Sequence, residues 1–278
     1  MSDHDAVINH SGGLPRDMRS IEIFDQGFVR QFDLRESGPG SAFTLVGHQY
    51  WQRVRAIRLA IRQYAGGRRV IDLGCAQGTI ALELAALGFA VTAVDSNQAF
   101  LDYARSKDRS RQVSWVCGDA HDMAVAHPYD AAVLAEVIEH TGRPQQLVRA
   151  VASMLRPGGA LVLTTPNGER IRQRLPSFTQ WQTMADESTC LQFGPAGEHH
   201  QFLFTRRELE AILSPWFESL TIRAISSAAW NHHTEPLLRT RAGRLIMDQL
   251  ERLILAVRPL ATRVANQWLI TARRRSLP

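Results

Sequence analysis

The chain has 278 residues, 45% of them hydrophobic, which suits one α/β domain with insertions or one domain plus a small lid. Its formal net charge is +5 and its sequence pI is near 9.6, yet the basic residues are almost all arginine (Lys107 is the single lysine) and they are scattered. Only Arg273, Arg274 and Arg275 cluster, so no dominant basic block marks a nucleic-acid footprint, and no apolar run is long enough to cross a bilayer.

The opening MSDHDAVINHSGGLPRDMRS is polar and carries acids early. It lacks the basic start, apolar middle and small-residue cleavage site of a secretory signal. Cys75, Cys117 and Cys190 are odd in number and far apart, which gives no disulfide framework and no CxxC metal pair. A reducing cytoplasm is the expected compartment. Residues 1–47 are expected to form an N-terminal arm or lid with at most one short helix.

Residues 48–65 place Trp51, Val54, Ile57, Leu59 and Ile61 at roughly helical spacing, and Gly66–Gly67 stops the helix. Strands and helices then alternate. RRVIDLG is a strand, TIALELAALG a helix ended by Gly88, FAVTAVD a strand and NQAFLDYARSK a helix. QVSWVCGD and YDAAVLAE are strands, PQQLVRAVASMLRPGG is a helix with a glycine stop, and ALVLTTPNG is a strand. Such alternation predicts right-handed βαβ units and a parallel sheet. Residues 48–168 are therefore the expected core. Residues 169–204 are polar, contain Pro176 and Pro195, and read as an insertion. Residues 205–278 return to the core: TRRELEAILSPW is a helix with a capping box from Thr205 to Glu208, FESLTIRAIS is a strand, and NQWLITARRR is a last strand. A helical insertion, RAGRLIMDQLERLILAV, is expected within 227–262.

The informative segment is VIDLGCAQGT, residues 70–79, an apolar strand that enters a glycine turn and then a helix. Open α/β sheets bind ligands at such a turn, and a helix N-terminus there can hold a carboxylate or phosphate. The dinucleotide fingerprint is broken, because Ala76 stands where its second glycine belongs. Asp72 precedes the turn and suits a cationic ligand end, while Asp95, ending the second strand, suits ribose hydroxyls. A ribose with a positively charged group, and no pyrophosphate, fits this pattern.

These residues, in this order, resemble the class I S-adenosylmethionine (SAM)-dependent methyltransferases. VIDLGCAQG resembles the family's first motif, AVTAVDSNQAFLDYAR its second, CGDAHDM its third, YDAAVLAEVIEH its fourth and MLRPGGALVLTTPN its fifth. The resemblance implies a Rossmann-like, doubly wound α/β fold: a seven-stranded, mainly parallel sheet with an antiparallel last strand, plus helical lid insertions. It implies SAM as cofactor, S-adenosylhomocysteine as product, and a contact surface drawn from each motif. Asp72, Gly74, Cys75, Ala76 and Gly78 come from the first; Asp95 and Ser96, on the ribose side, from the second. Asp119 and Ala120 would meet the adenine, and the backbone around Ala135 and Glu136 would face the methionine end. Cys75 reads as a small turn residue, not a nucleophile.

Methyl transfer to a hydroxyl needs a base, and His140, in EVIEHT after the fourth strand, is the expected one. An unperturbed imidazole titrates near neutrality. The expected reaction is metal-independent. The alternative is a divalent metal held by Glu136, Glu139, His140 and His200, the first three standing at i, i+3, i+4 on one face of a helical turn. That pattern resembles the small-RNA 2′-O-methyltransferases, and His199 lies beside it; the E-x-x-E-H run is also similar to that of the ubiquinone-biosynthesis O-methyltransferases.

Residues 1–50, 169–204 and 227–262 are the candidate walls of an acceptor pocket. Tyr50, Trp51, Phe178, Trp181, Phe193, Trp230 and Trp268 are aromatic there, though each reads more readily as core. Arg16, Arg53, Arg170 and Arg172 are candidates for an acidic substrate or for surface charge, and His232–His233 is a candidate second ligand pair that reads more readily as a solvated loop. The sequence therefore predicts a methyltransferase acting on a small-molecule acceptor at a hydroxyl oxygen. The alternatives are a metal-dependent RNA 2′-O-methyltransferase and a non-catalytic SAM-binding partner subunit, the latter opposed by intact Asp72, Gly74, Gly78, Asp95 and Asp119.

Overall fold

A computed structural model describes residues 26–123, 127–171, 173–184, 193–194, 197–198, 200–227, 230 and 233–276. Seven strands form one sheet: β1 (Arg69–Leu73), β2 (Ala90–Asp95), β3 (Val113–Cys117), β4 (Tyr129–Ala135), β5 (Leu155–Pro166), β8 (Phe217–Ser227) and β9 (Ala265–Arg274). A two-residue pair, β6 (Phe193–Gly194) and β7 (Gly197–Glu198), forms a separate hairpin. The sheet order is β3-β2-β1-β4-β5-β9-β8. β1 to β5 run parallel, and β9 inserts antiparallel between β5 and β8. The expected seven-stranded sheet with a reversed last strand is present.

Helices cover both faces. Alternate residues of one strand feed two different cores, as the two-residue period of a strand requires. Val70, Ala131, Val133 and Val162 meet α2 (Leu45–Tyr64), α3 (Thr79–Ala86) and α4 (Gln98–Lys107). Ile71, Ala132, Leu134 and Leu163 meet α5 (Pro144–Met154) and α7 (Arg206–Leu213). α1 (Gln26–Glu36) packs on α4. α6 (Phe178–Gln182) lies in the insertion, and α8 (Arg241–Ala256) and α9 (Arg258–Val264) precede β9. Among the described residues no helix is long and apolar enough to cross a membrane.

Local chemistry sets the helix starts. Thr44 accepts the Gly47 N–H at 3.1 Å to open α2, and Asn97 accepts the Ala99 N–H at 2.9 Å to open α4. The Thr205–Glu208 capping box at α7 is formed. One boundary differs from the sequence reading, and one helix, α9, is added to it. α5 stops at Met154, before its glycines, because Pro157 holds the preceding chain extended; Leu155 already pairs with Tyr129, and the segment to Gly159 loops out before Ala160 meets Ala131. The N-terminal arm holds an eleven-residue helix, α1, and the insertion before β9 holds a second helix, α9, that starts at Arg258 with Pro259 in its first turn.

Candidate functional site

β1 delivers the chain into a turn at the carboxyl edge of the sheet. Gly74, Ala76 and Gly78 all have positive φ, at 71°, 43° and 77°. The Gly74 and Cys75 N–H groups both donate to the Val94 carbonyl, at 2.8 and 3.0 Å, which docks the turn on the end of β2. Asp95 completes the docking. Its Oδ2 accepts the Ala76 N–H at 2.8 Å and its Oδ1 accepts the Asn97 N–H at 2.9 Å. The carboxylate is thereby fixed in orientation, with its remaining lone pairs available to hydroxyl donors. The glycines have a packing reason as well as a conformational one. A Cβ on Gly78 would meet Trp115 Cη2 at 2.5 Å, and one on Gly74 would meet Val137 Cγ2 at 2.5 Å.

Asp72 is buried beneath this turn, and its Oδ2 has no hydrogen-bond partner among the described residues. Burial, and then repulsion from Asp95, pushes its carboxyl up to about 7. Burial also raises Asp95. Cys75 is buried, and burial with the two nearby carboxylates lifts its thiol well above the ordinary value, which disfavours the thiolate. Two acids held together with an unsatisfied buried oxygen fit a ligand that carries a cation and a diol.

Ser96 is exposed beside Asp95. Asp119 follows β3, and its Oδ1 accepts both the backbone N–H of His121, at 2.9 Å, and a contact from His121 Nδ1 at 2.8 Å. The His121 partner holds the Asp119 carboxyl below the usual carboxylate range. His121 Nε2 in turn lies 3.2 Å from Thr141 Oγ1, linking the loop after β3 to the loop after β4. Ala120 packs against the adjoining core. His121, which stands two positions after Asp119 in the same motif, is a further candidate residue that sequence reasoning missed. A second missed group is α1. Asp33 binds Lys107 Nζ at 2.9 Å and Tyr103 OH at 2.8 Å, while Gln77 in the turn donates to Glu36 at 2.9 Å.

After β4 the chain departs from the expected helical face. Ala135 pairs with Thr164, and Glu136, with φ 55°, donates its N–H to the Thr164 carbonyl at 2.9 Å. The Glu136 carboxylate turns toward Gln267 Nε2, at 3.0 Å, and Arg53 Nη1, at 3.4 Å. A 3-10 turn over Ile138–His140 then presents Glu139 and His140, both buried. Glu139 Oε2 accepts the Thr165 hydroxyl at 3.0 Å, and its Oε1 lies 3.9 Å from His200 Nε2. The His140 and His200 rings stand 5.0 Å apart, and the donor atoms of Glu139, His140 and His200 all fall within 4.8 Å of one another. Of the four residues in the alternative metal set, Glu139, His140 and His200 share this cluster, whereas the Glu136 carboxylate faces Gln267 and Arg53.

The acceptor-side aromatics are mostly core. Phe178 and Trp181 pack with Phe202 and Phe204, and Tyr50 and Trp268 are buried. Trp51 is half-buried and bonds Ser41 Oγ at 3.2 Å; Trp230 is half-buried. Arg53 is held by Glu136, and Arg170 donates to Asn266 Oδ1 at 2.6 Å, so both are engaged within the protein. His233 is exposed. Arg16, Arg172, Cys190, Pro195, His199, His232 and the side chain of Phe193 lie outside the described residues.

Residues 47–214 match the model of a family described as a methyltransferase domain. Similar curated proteins include the ubiquinone biosynthesis O-methyltransferase of Xanthomonas campestris pv. campestris strain B100, 31% identical over 212 residues, covering 74% of this chain and 82% of that protein. That of Xanthomonas euvesicatoria pv. vesicatoria strain 85-10 is 30% identical over the same shares. Among solved structures, the N-methyltransferase NodS of Bradyrhizobium japonicum WM9 aligns with a TM-score of 0.52 at 15% identity, covering 81% of this chain and 96% of that one. Phospholethanolamine N-methyltransferase 2 of Haemonchus contortus gives 0.57 at 16%, covering 90% and 58%. The [4+2]-cyclase SpnF gives 0.53 at 19%, covering 81% and 82%. At these identities the structural likenesses establish the fold alone.

Proposed function

From the premise that the chain belongs to the SAM-dependent methyltransferases, we propose that it methylates a hydroxyl oxygen of a small-molecule acceptor, with His140 as the base. The observation that carries the reading is the burial of His140 on the 3-10 turn after β4, on the sheet edge that also holds Asp72 and Asp95. Relatives at 31% identity bearing the name O-methyltransferase support oxygen as the acceptor atom.

SAM, when bound, supplies an electrophilic methyl on a sulfonium. Asp72, buried with an unsatisfied oxygen, would hold the cationic amino group. Asp95 would hold the ribose hydroxyls with lone pairs its two backbone bonds leave over. Asp119 and Ala120 would flank the adenine. Fixing donor and acceptor in line is worth roughly 7–11 kcal/mol of barrier at best. His140 would take the hydroxyl proton, and Glu139, held by Thr165, keeps a carboxylate near that ring pair. The test is release of S-adenosylhomocysteine on adding phenols, catechols, aliphatic alcohols and amines. Turnover with a hydroxyl class supports the reading; turnover with amines alone contradicts it.

A second reading is favoured by the gathering of Glu139, His140 and His200 within 4.8 Å. A divalent ion held there would orient a diol, the end of an RNA among them. Activity that disappears with EDTA and returns with added metal supports this reading, and activity indifferent to EDTA supports the simple base.

A further inference from the structure

A second cluster of ligating side chains lies away from the turn and from His140. α2 presents His48 and Gln52 four residues apart, and α8 presents Asp248 and Glu251 three apart, so each helix offers two donors on one face. The donor atoms of His48, Asp248 and Glu251 fall within 4.8 Å of one another, and His48 Nε2 is 3.8 Å from Asp248 Oδ1. The Gln52 amide reaches the middle of the group: its Nε2 is 3.0 Å from His48 Nε2 and also donates to Glu251 Oε2. That leaves Gln52 Oε1 buried with no hydrogen-bond partner among the described residues.

The two ends of an amide are interchangeable in outline. Turning the Gln52 amide over aims Oε1 at the same centre and yields one nitrogen and three oxygens from four side chains. His48 ligates through Nε2 in the neutral form that carries its proton on Nδ1. The Ser227 N–H donates to the other oxygen of Glu251 and fixes that carboxylate, as an outer partner of a metal ligand does. Two carboxylates balance a dipositive ion. Arg244 is close enough to act on His48, but its guanidinium donates to the Leu238 carbonyl at 2.8 Å and lies over the Phe43 ring at 4.8 Å.

We propose that His48, Gln52, Asp248 and Glu251 form a closed, structural site for a divalent transition-metal ion of the zinc class, which pins α8 and the end of β8 to α2. Bonds of about 2.1 Å set tetrahedral donors roughly 3.4 Å apart, so His48 and Asp248, now 3.8 Å apart, would close slightly, and the Gln52 amide, now 3.0 Å from His48 and against Glu251, would draw back slightly. Four protein donors leave no open position, so the ion fixes the helical insertion and takes no part in methyl transfer.

The test uses the full chain, stripped of metal and titrated with cobalt(II) as a visible probe, then with zinc. One equivalent is expected to give a visible ligand-field band that zinc displaces, and zinc is expected to raise the melting temperature. Asp248→Asn, at a half-buried position, and His48→Ala should each weaken binding roughly tenfold or more. His200→Ala should leave the band intact. Absence of saturable binding overturns the proposal. So does a band that His200→Ala removes and Asp248→Asn preserves, since that assigns the ion to the Glu139 cluster. If His48→Ala does not fold, Asp248→Asn decides.

Discussion

Asp95 Oδ2 accepts the Ala76 N–H at 2.8 Å, so the acid proposed for the ribose also holds the one non-glycine residue of the turn at a positive φ of 43°. On the proposed reading, binding and folding are coupled at this residue. Asp95→Ala is expected to lower stability by about 2–3 kcal/mol through the loss of two charge-assisted backbone bonds, and to weaken S-adenosylhomocysteine binding at least about tenfold. Calorimetric titration and thermal unfolding of the same variant check both. Unchanged affinity would remove Asp95 from the cofactor site.

Asp72 makes the free protein sensitive to pH. Its folded value, about 7, lies above the ordinary 3.8, so between those values the folded state holds a proton that the unfolded chain has released. The contribution to stability is greatest below about pH 4 and falls as pH rises to about 7. Binding of a cation runs the other way, since it needs the ionised carboxylate. Affinity for S-adenosylhomocysteine should weaken below about pH 7, by up to roughly tenfold per unit. Asp72→Asn should flatten both dependences. A wild-type affinity that is level from pH 5 to pH 8 would contradict the assignment.

His140→Ala should slow turnover of a hydroxyl acceptor by roughly 10²–10⁴-fold while leaving S-adenosylhomocysteine affinity unchanged. Steady-state kinetics and calorimetry separate the two. A variant with wild-type kcat would remove His140 as the base.

Gly78→Ala meets two obstacles at once: a φ of 77°, and a Cβ that would stand 2.5 Å from Trp115 Cη2 and 2.7 Å from Ala104 Cβ. A loss of about 2–4 kcal/mol is expected, with a melting temperature several degrees lower. Trp115→Leu on the same background should recover part of it, because it relieves the Trp115 contact and leaves the Ala104 contact and the φ penalty. No recovery would remove the Trp115 contact as a cause.

Much of this was legible in the sequence because it is local. Strand period, glycine turns and the order of Asp72, Asp95 and Asp119 depend on neighbours a few residues away, and the parallel part of the sheet follows from them; the reversed β9 was implied by the family resemblance those motifs carry. What stayed hidden depends on distance along the chain or on one backbone angle. The i, i+3, i+4 spacing of Glu136, Glu139 and His140 predicted a helical face, but the left-handed Glu136 and the bond from its N–H to Thr164 broke it. α5 ends at Met154, short of the glycines, because Pro157 stops it first. His121 drew no attention beside Asp119, and the Lys107–Asp33 pair joins positions 74 residues apart. The His48–Glu251 cluster unites helices about 200 residues apart, beyond any spacing rule.

The most direct test of the account is the position of a transferred methyl. The purified protein is given SAM with an isotope-labelled methyl and an acceptor carrying both a phenolic hydroxyl and an amine, and the product is read by nuclear magnetic resonance. The account predicts label on oxygen, lost in His140→Ala. Label on nitrogen or carbon would contradict it, and hydroxyl methylation would then no longer be the reading to pursue.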